Sequence, residues 1–94
     1  MRIRWKRPAL LDFFRIKDHI AKHNPAAAEQ VGSEIQNAAF LLKSFPQLGH
    51  GGERIGIFEL QVPNRPYVLP YRLNGEVIEI LAVFDQRRNP KDRA

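Results

Sequence analysis

The sequence predicts an α+β fold in which an N-terminal strand leads into an α-helical hairpin and then into a three-stranded antiparallel meander. Three observations carry that reading. The first six residues alternate basic and apolar side chains. Residues 10–42 repeat apolar side chains at steps of three and four, in two runs divided by Asn24-Pro25. The last third holds three runs rich in β-branched, aromatic and leucine residues, divided by Pro63-Asn64 and Asn74-Gly75.

Each element has its own signal. Arg2, Arg4 and Lys6 alternate with Ile3 and Trp5, which describes a short strand with one buried and one basic face. Pro8 opens a new element, where Leu10, Phe13, Phe14, Ile16 and Ile20 share a helical stripe and Arg15, Lys17, Asp18 and Lys22 fill other positions. This first helix ends near His23. Asn24 then offers an N-cap acceptor, and Pro25 takes the first helical position, where its missing N–H has no partner to lose. Ala28, Val31, Ile35, Ala38 and Leu42 form the stripe of the second helix, and its small residues permit close approach. Phe40 and Leu41 fall off that stripe. They either widen the buried face, the reading taken first here, or form an apolar patch for a partner.

Phe45-Pro46 ends the helix, and a glycine-rich loop covers residues 49–56. It lacks the lysine and hydroxyl residue of a phosphate-binding loop and does not run from strand to helix. Strands are expected at 57–62, 67–73 and 77–84. Asn74-Gly75, between Leu73 and Glu76, marks a hairpin. Pro70 removes one ladder donor inside its strand, so a bulge or an unpaired edge is expected there.

Composition limits the function classes. A chain of 94 residues with 44% apolar content supports one core, read as a single domain over residues 1–94. The absence of cysteine excludes a thiol nucleophile, a disulfide framework and cysteine-ligated zinc, and points to the cytoplasm. No apolar run approaches a membrane span, and the alternating N-terminus does not read as an export signal. The net charge of +5 is uneven: residues 1–25 hold seven basic and two acidic side chains, 26–60 two and four, and 61–94 six and four. Basic ends around an acidic middle favour a polyanion or an acidic protein partner.

The candidate functional residues lie where framework gives way to charge. Arg87 and Arg88 follow the last strand directly, and Arg72 belongs to the strand before it, so all three are held by rigid elements able to present guanidinium groups in fixed geometry. Glu59 and Glu79 alternate with apolar residues and mark the solvent face, paired with Arg72 across strands. His19 and His23 stand four apart, but no third ligand accompanies them, so they read as solvated helix residues and no metal or cofactor is expected. His50, in the glycine-rich loop, lacks a recognisable partner acid or base. Tyr67 and Tyr71 share one strand face, where they either stack on bases or, the reading taken here, cover the core.

Several segments, in this order, give the chain a family resemblance. They are Asn24-Pro25-Ala26-Ala27-Ala28, Phe45-Pro46-Gln47-Leu48-Gly49, Gly56-Ile57-Phe58-Glu59-Leu60, Pro66-Tyr67-Val68-Leu69-Pro70-Tyr71-Arg72 and the run from Val77 through Phe84 to Asp85-Gln86-Arg87-Arg88. Together they resemble the RelE/ParE superfamily of bacterial type II toxins, on the ParE side, over nearly the whole chain. The resemblance implies a cytoplasmic toxin neutralised by a cognate antitoxin encoded beside it. It implies one of two targets: DNA gyrase, poisoned by binding, or the ribosome and its messenger RNA, cut by an endoribonuclease. An inactive relative kept as a regulatory or plasmid-stabilising partner is a third reading.

Residue chemistry weighs these. Cleavage through a 2′-hydroxyl needs a proton acceptor, a proton donor and positive charge around the phosphorane. Where relatives often carry His or Lys after the last strand this chain has Asp85, no tyrosine follows within residues 89–94, and Phe58 stands where many relatives carry arginine. The expectation is therefore a gyrase inhibitor with no catalytic residue, with Arg72, Arg87 and Arg88 contacting the target and Phe40 and Leu41 contacting the antitoxin.

Overall fold

The computed structural model describes residues 1–88; the segment read for its missing tyrosine lies outside the described residues. The elements are β1 (Arg2–Trp5), α1 (Arg7–Ala21), α2 (Pro25–Leu41), β2 (His50–Gly51), β3 (Phe58–Gln61), β4 (Tyr67–Asn74), β5 (Val77–Ile80) and β6 (Phe84–Asp85). Strand order is β1-β5-β4-β3-β2, and β6 also pairs with β4. β1 runs parallel to β5 with Ile3 opposite Ile78, so the helical hairpin and β2 to β4 separate in sequence two strands that are neighbours in the sheet; every other pairing is antiparallel.

The local signals act as read at several points. The Asn24 side chain accepts a hydrogen bond from the Ala27 N–H at 3.1 Å, satisfying one of the open donors of α2. Ala28, Val31, Ile35, Ala38 and Leu42 are all buried, and the last four pack with Phe13 of α1 and with Leu60, Leu69, Tyr71, Ile78 and Ile80 of the sheet. Gly32 closes the hairpin: a Cβ there would meet the Lys17 stem at 2.9 Å, so this position lets α1 approach α2.

Four expectations need correction. The run at 77–84 is not one strand. The pairs Tyr71–Ile80 and Val68–Phe84 enclose two residues of β4 but three on the other side, 81–83, which is a bulge of one extra residue. Pro70 explains its place. Its carbonyl accepts from the Leu81 N–H at 2.9 Å, so the side of β4 where Pro70 has no donor faces the interrupted ladder. The hairpin turn is displaced by one residue: Asn74 pairs with Val77, which centres the turn on Gly75-Glu76, and Gly75 alone takes a positive φ of 61°, as a glycine-first turn requires. The glycine-rich segment contains a two-residue strand, β2, paired with β3 through His50–Glu59 and Gly51–Phe58. In α1 the buried residues are Ala9 and Phe13, while Leu10 and Phe14 of the expected stripe are exposed.

Candidate functional site

The end of β6 is organised by the bulge. Broken pairing frees the Val83 N–H, and Asp12 of α1 accepts it at 3.0 Å, fixing the helix to the strand end. Two residues later Asp85 is clasped by Arg87: Arg87 Nη2 lies 2.6 Å from Oδ2, Nε lies 3.0 Å from Oδ1, and the Arg87 N–H donates to Oδ1 at 2.9 Å. Hydrogen bonding to Arg87 holds the Asp85 carboxyl below its ordinary range, although partial burial opposes this, and the same contact raises the Arg87 guanidinium. Arg87 and Arg88 line a cleft of about 560 Å³ whose opposite wall is α1, contributing Asp12, Arg15 and His19.

Arg72 is held elsewhere. It stands opposite Glu79 in the β4–β5 register, and its Nε donates to Glu79 Oε1 at 2.6 Å. Lys6 Nζ lies 3.7 Å from the other carboxylate oxygen. Glu79 does turn away from the helices, as expected, but it is only 4% exposed because these long side chains cover it, which corrects its reading as a solvent-face residue. The hydrogen bond from Arg72 lowers its pKa first, with Arg72, Lys6 and Arg4 charges adding to this against a smaller desolvation effect. Asp85 pairs with β4 at Tyr67, five residues from Arg72, or about 17 Å along the strand. The three arginines thus form two sites, a strand-end pair and a sheet-face residue.

Phe40 and Leu41 are 63% and 47% exposed, so they do not widen the buried face. The helix turns them outward because Ala38, Ala39 and Leu42 already fill the side toward the core. Leu41 lines a second cavity of about 280 Å³ together with Ala38, Leu48, His50 and Leu60, between the end of α2 and the β2–β3 edge. Leu10, Leu11 and Phe14 are exposed on α1, so the hairpin carries apolar surface on both helices.

The other candidates resolve simply. Tyr67 and Tyr71 are buried, and burial raises both phenol pKa values. The Tyr71 hydroxyl donates to the Pro46 carbonyl and accepts from the Gly49 N–H, both at 2.9 Å, which ties the segment after α2 to the middle of the sheet. His19, in the last turn of α1, and His23, in the turn after it, are exposed and contact each other with ring centroids 6.1 Å apart. Among the described residues no group of three His, Cys, Asp or Glu side chains could hold a metal ion. His50 is exposed on β2. Sequence reasoning missed Asp12 and Lys6, since a single acid on a helix and a single lysine after a strand carry no pattern until the tertiary contact exists.

Comparison with known proteins identifies the family. Residues 3–90 match the family model described as the ParE toxin of the type II toxin–antitoxin system, parDE. The chain is 38% identical over 83 residues to a Sinorhizobium fredii (strain NBRC 101917 / NGR234) protein named "Putative toxin Y4kP", covering 88% of this chain and 85% of that one. Among solved structures, the chromosomal ParDE toxin–antitoxin system from P. aeruginosa matches with a TM-score of 0.83 and 26% identity, over 90% of this chain and 95% of that one. The toxin–antitoxin complex RelBE2 from Mycobacterium tuberculosis shares the fold with a TM-score of 0.64 and 23% identity, over 89% and 95% of the two chains. The chain belongs to the ParE toxin family and is the toxin of a type II toxin–antitoxin system, whose partner is an antitoxin.

Proposed function

We propose that this ParE-family toxin acts in the cytoplasm by binding DNA gyrase, and not by cutting messenger RNA. The observation that carries the reading is the state of the strand end. A nuclease needs proton carriers beside the arginines, yet Asp85, the acid on the strand end itself, is clasped by Arg87 with its pKa lowered, so it stays an anion and supplies no proton, and the imidazole of the cleft, His19, stands on the opposite wall. The arginines supply charge without proton transfer. Arg87 and Arg88 at the cleft, and Arg72 on the sheet face, are the residues proposed to contact the target. The test is supercoiling by purified gyrase in the presence of the purified toxin: inhibition supports the reading, while untouched gyrase alongside cleaved ribosome-bound transcripts overturns it.

The antitoxin is proposed to cover the apolar outer surface of the helical hairpin. A segment disordered on its own would fold there as an amphipathic helix, its apolar side on Phe40 and Leu41 and its acidic residues toward the basic ends of the toxin, with a strand added at an open sheet edge. Both side chains are exposed, so replacing them with aspartate leaves the core intact. The double variant is expected to bind the cognate antitoxin at least tenfold more weakly; unchanged affinity would remove this surface from the account.

A further inference from the structure

The face of the sheet turned away from the helices carries an array that neither the cleft nor the helical surface uses. Ile3 and Trp5 of β1 pack against the core, so Arg2 and Arg4 point the other way and are exposed. Arg4 stands opposite Glu79 on β5, and Glu79 stands opposite Arg72 on β4, so two guanidinium groups flank one carboxylate across three adjacent strands. Lys6 reaches the same carboxylate. Four cations therefore share an area about 10 Å across the strands and about 13 Å along β1. Against them stand Glu79, covered by its partners, and Glu59 on β3. Among the described residues Arg2 and Arg4 form no salt bridge, and the Arg72 side chain, tied to Glu79 through Nε, remains 48% exposed.

Shape and composition select the occupant. Neither of the two cavities described above is lined by these four residues, and the exposed Arg2, Arg4 and Arg72 present an open surface suited to an extended polyanion and not to a small enclosed anion. Single-stranded nucleic acid is held by stacking bases on aromatic side chains. Trp5, Phe58 and Tyr71 turn toward the helices instead, and Phe84, opposite Val68, lies four residues along β4 from Arg72, about 13 Å away. Cations without a stacking platform fit a duplex, whose bases are already stacked and whose phosphates lie outside.

We propose that the open sheet face binds the sugar–phosphate backbone of duplex DNA, with Arg2, Arg4, Lys6 and Arg72 as its phosphate contacts. Such contacts carry no sequence information and release counterions, so binding is weak, nonspecific and strongly salt-dependent. This goes beyond the gyrase reading, since it concerns DNA alone. The experiment is fluorescence anisotropy of a labelled 20-base-pair duplex with the purified toxin, without gyrase, between 25 and 200 mM NaCl. Four contacts predict a slope of log affinity against log salt of about −3.6, at 0.9 per contact. The pair Arg2→Gln and Arg4→Gln should reduce its magnitude by about 1.8, Arg72→Gln alone by about 0.9, and Arg2→Lys with Arg4→Lys should leave it unchanged. Absence of binding at 25 mM salt, a slope indifferent to the glutamine variants, or tighter binding to single-stranded RNA of equal length would each overturn the proposal. Failure of the toxin to inhibit gyrase would sink the target reading and leave this result standing.

Discussion

The Tyr71 hydroxyl offers the sharpest test of how the segment after α2 is held. Tyr71→Phe keeps the ring, and with it the stacking on Phe58 at 5.5 Å between centroids, but removes one donor and one acceptor. The Pro46 carbonyl and the Gly49 N–H lose their partner together, and the site is only partly buried, so water recovers some of the loss. Each such bond is worth about 0.5–1.5 kcal/mol net, which sets the expected destabilisation at about 1–3 kcal/mol. For a domain of this size each kcal/mol lowers Tm by about 4–8 °C. Urea unfolding should show a lower midpoint with an unchanged slope, and hydrogen exchange should show faster exchange at the Gly49 amide. A midpoint within error of the parent, with Gly49 still protected, would refute the claim that this hydroxyl tethers the segment.

Other predictions follow from neighbouring contacts. Gly49→Ala places a Cβ 2.7 Å from the Tyr71 ring and 2.8 Å from the Glu59 carbonyl, so calorimetry should record a loss of about 1–3 kcal/mol. Asp12→Ala leaves the Val83 N–H without its acceptor, and chemical denaturation should report about 1–3 kcal/mol together with increased exchange at Val83. The carboxyl pKa values of Glu79 and Asp85 are lowered from 4.5 and 3.8 by Arg72 and Arg87, so their stabilisation is full above those ordinary values and is lost as pH falls through the folded-state values. Tyr67 and Tyr71, raised by burial above 10.0, lose their contribution as pH rises past that value. Stability measured against pH should therefore decline at both the acid and the alkaline limit, with the acid limb shallower in Glu79→Gln.

Most of the fold was legible because local chemistry and tertiary packing agree. Asn24-Pro25 supplies the N-cap and first residue of α2 from local chemistry, and the α2 stripe from Ala28 to Leu42 is buried as its spacing indicates. The misreadings fall where a distant partner decides. Pro70 signals an interrupted ladder, but that the extra residue falls at 81–83 on the facing strand follows from the pairing across from Pro70 and from the acceptor that Asp12 supplies, and neither is visible in a run of apolar residues. Phe40 and Leu41 are apolar but have no core left to enter, since Ala38, Ala39 and Leu42 occupy it. The candidate site could be read from the sequence as residue types and not as geometry. Arg72 lies within β4 and Arg87 and Arg88 follow β6, as their positions indicate, while their separation depends on a register that only the folded sheet defines.

The measurement closest to the central claim is DNA supercoiling by gyrase titrated with this toxin, with parallel sequencing of transcripts from cells after brief induction. Supercoiling should fall with the parent toxin and recover with Arg87→Ala and Arg88→Ala combined, a variant that leaves the core untouched because both side chains are exposed after β6 and whose folding is checked by circular dichroism. Codon-spaced cuts in transcripts, with gyrase fully active at a large excess of toxin, would contradict it.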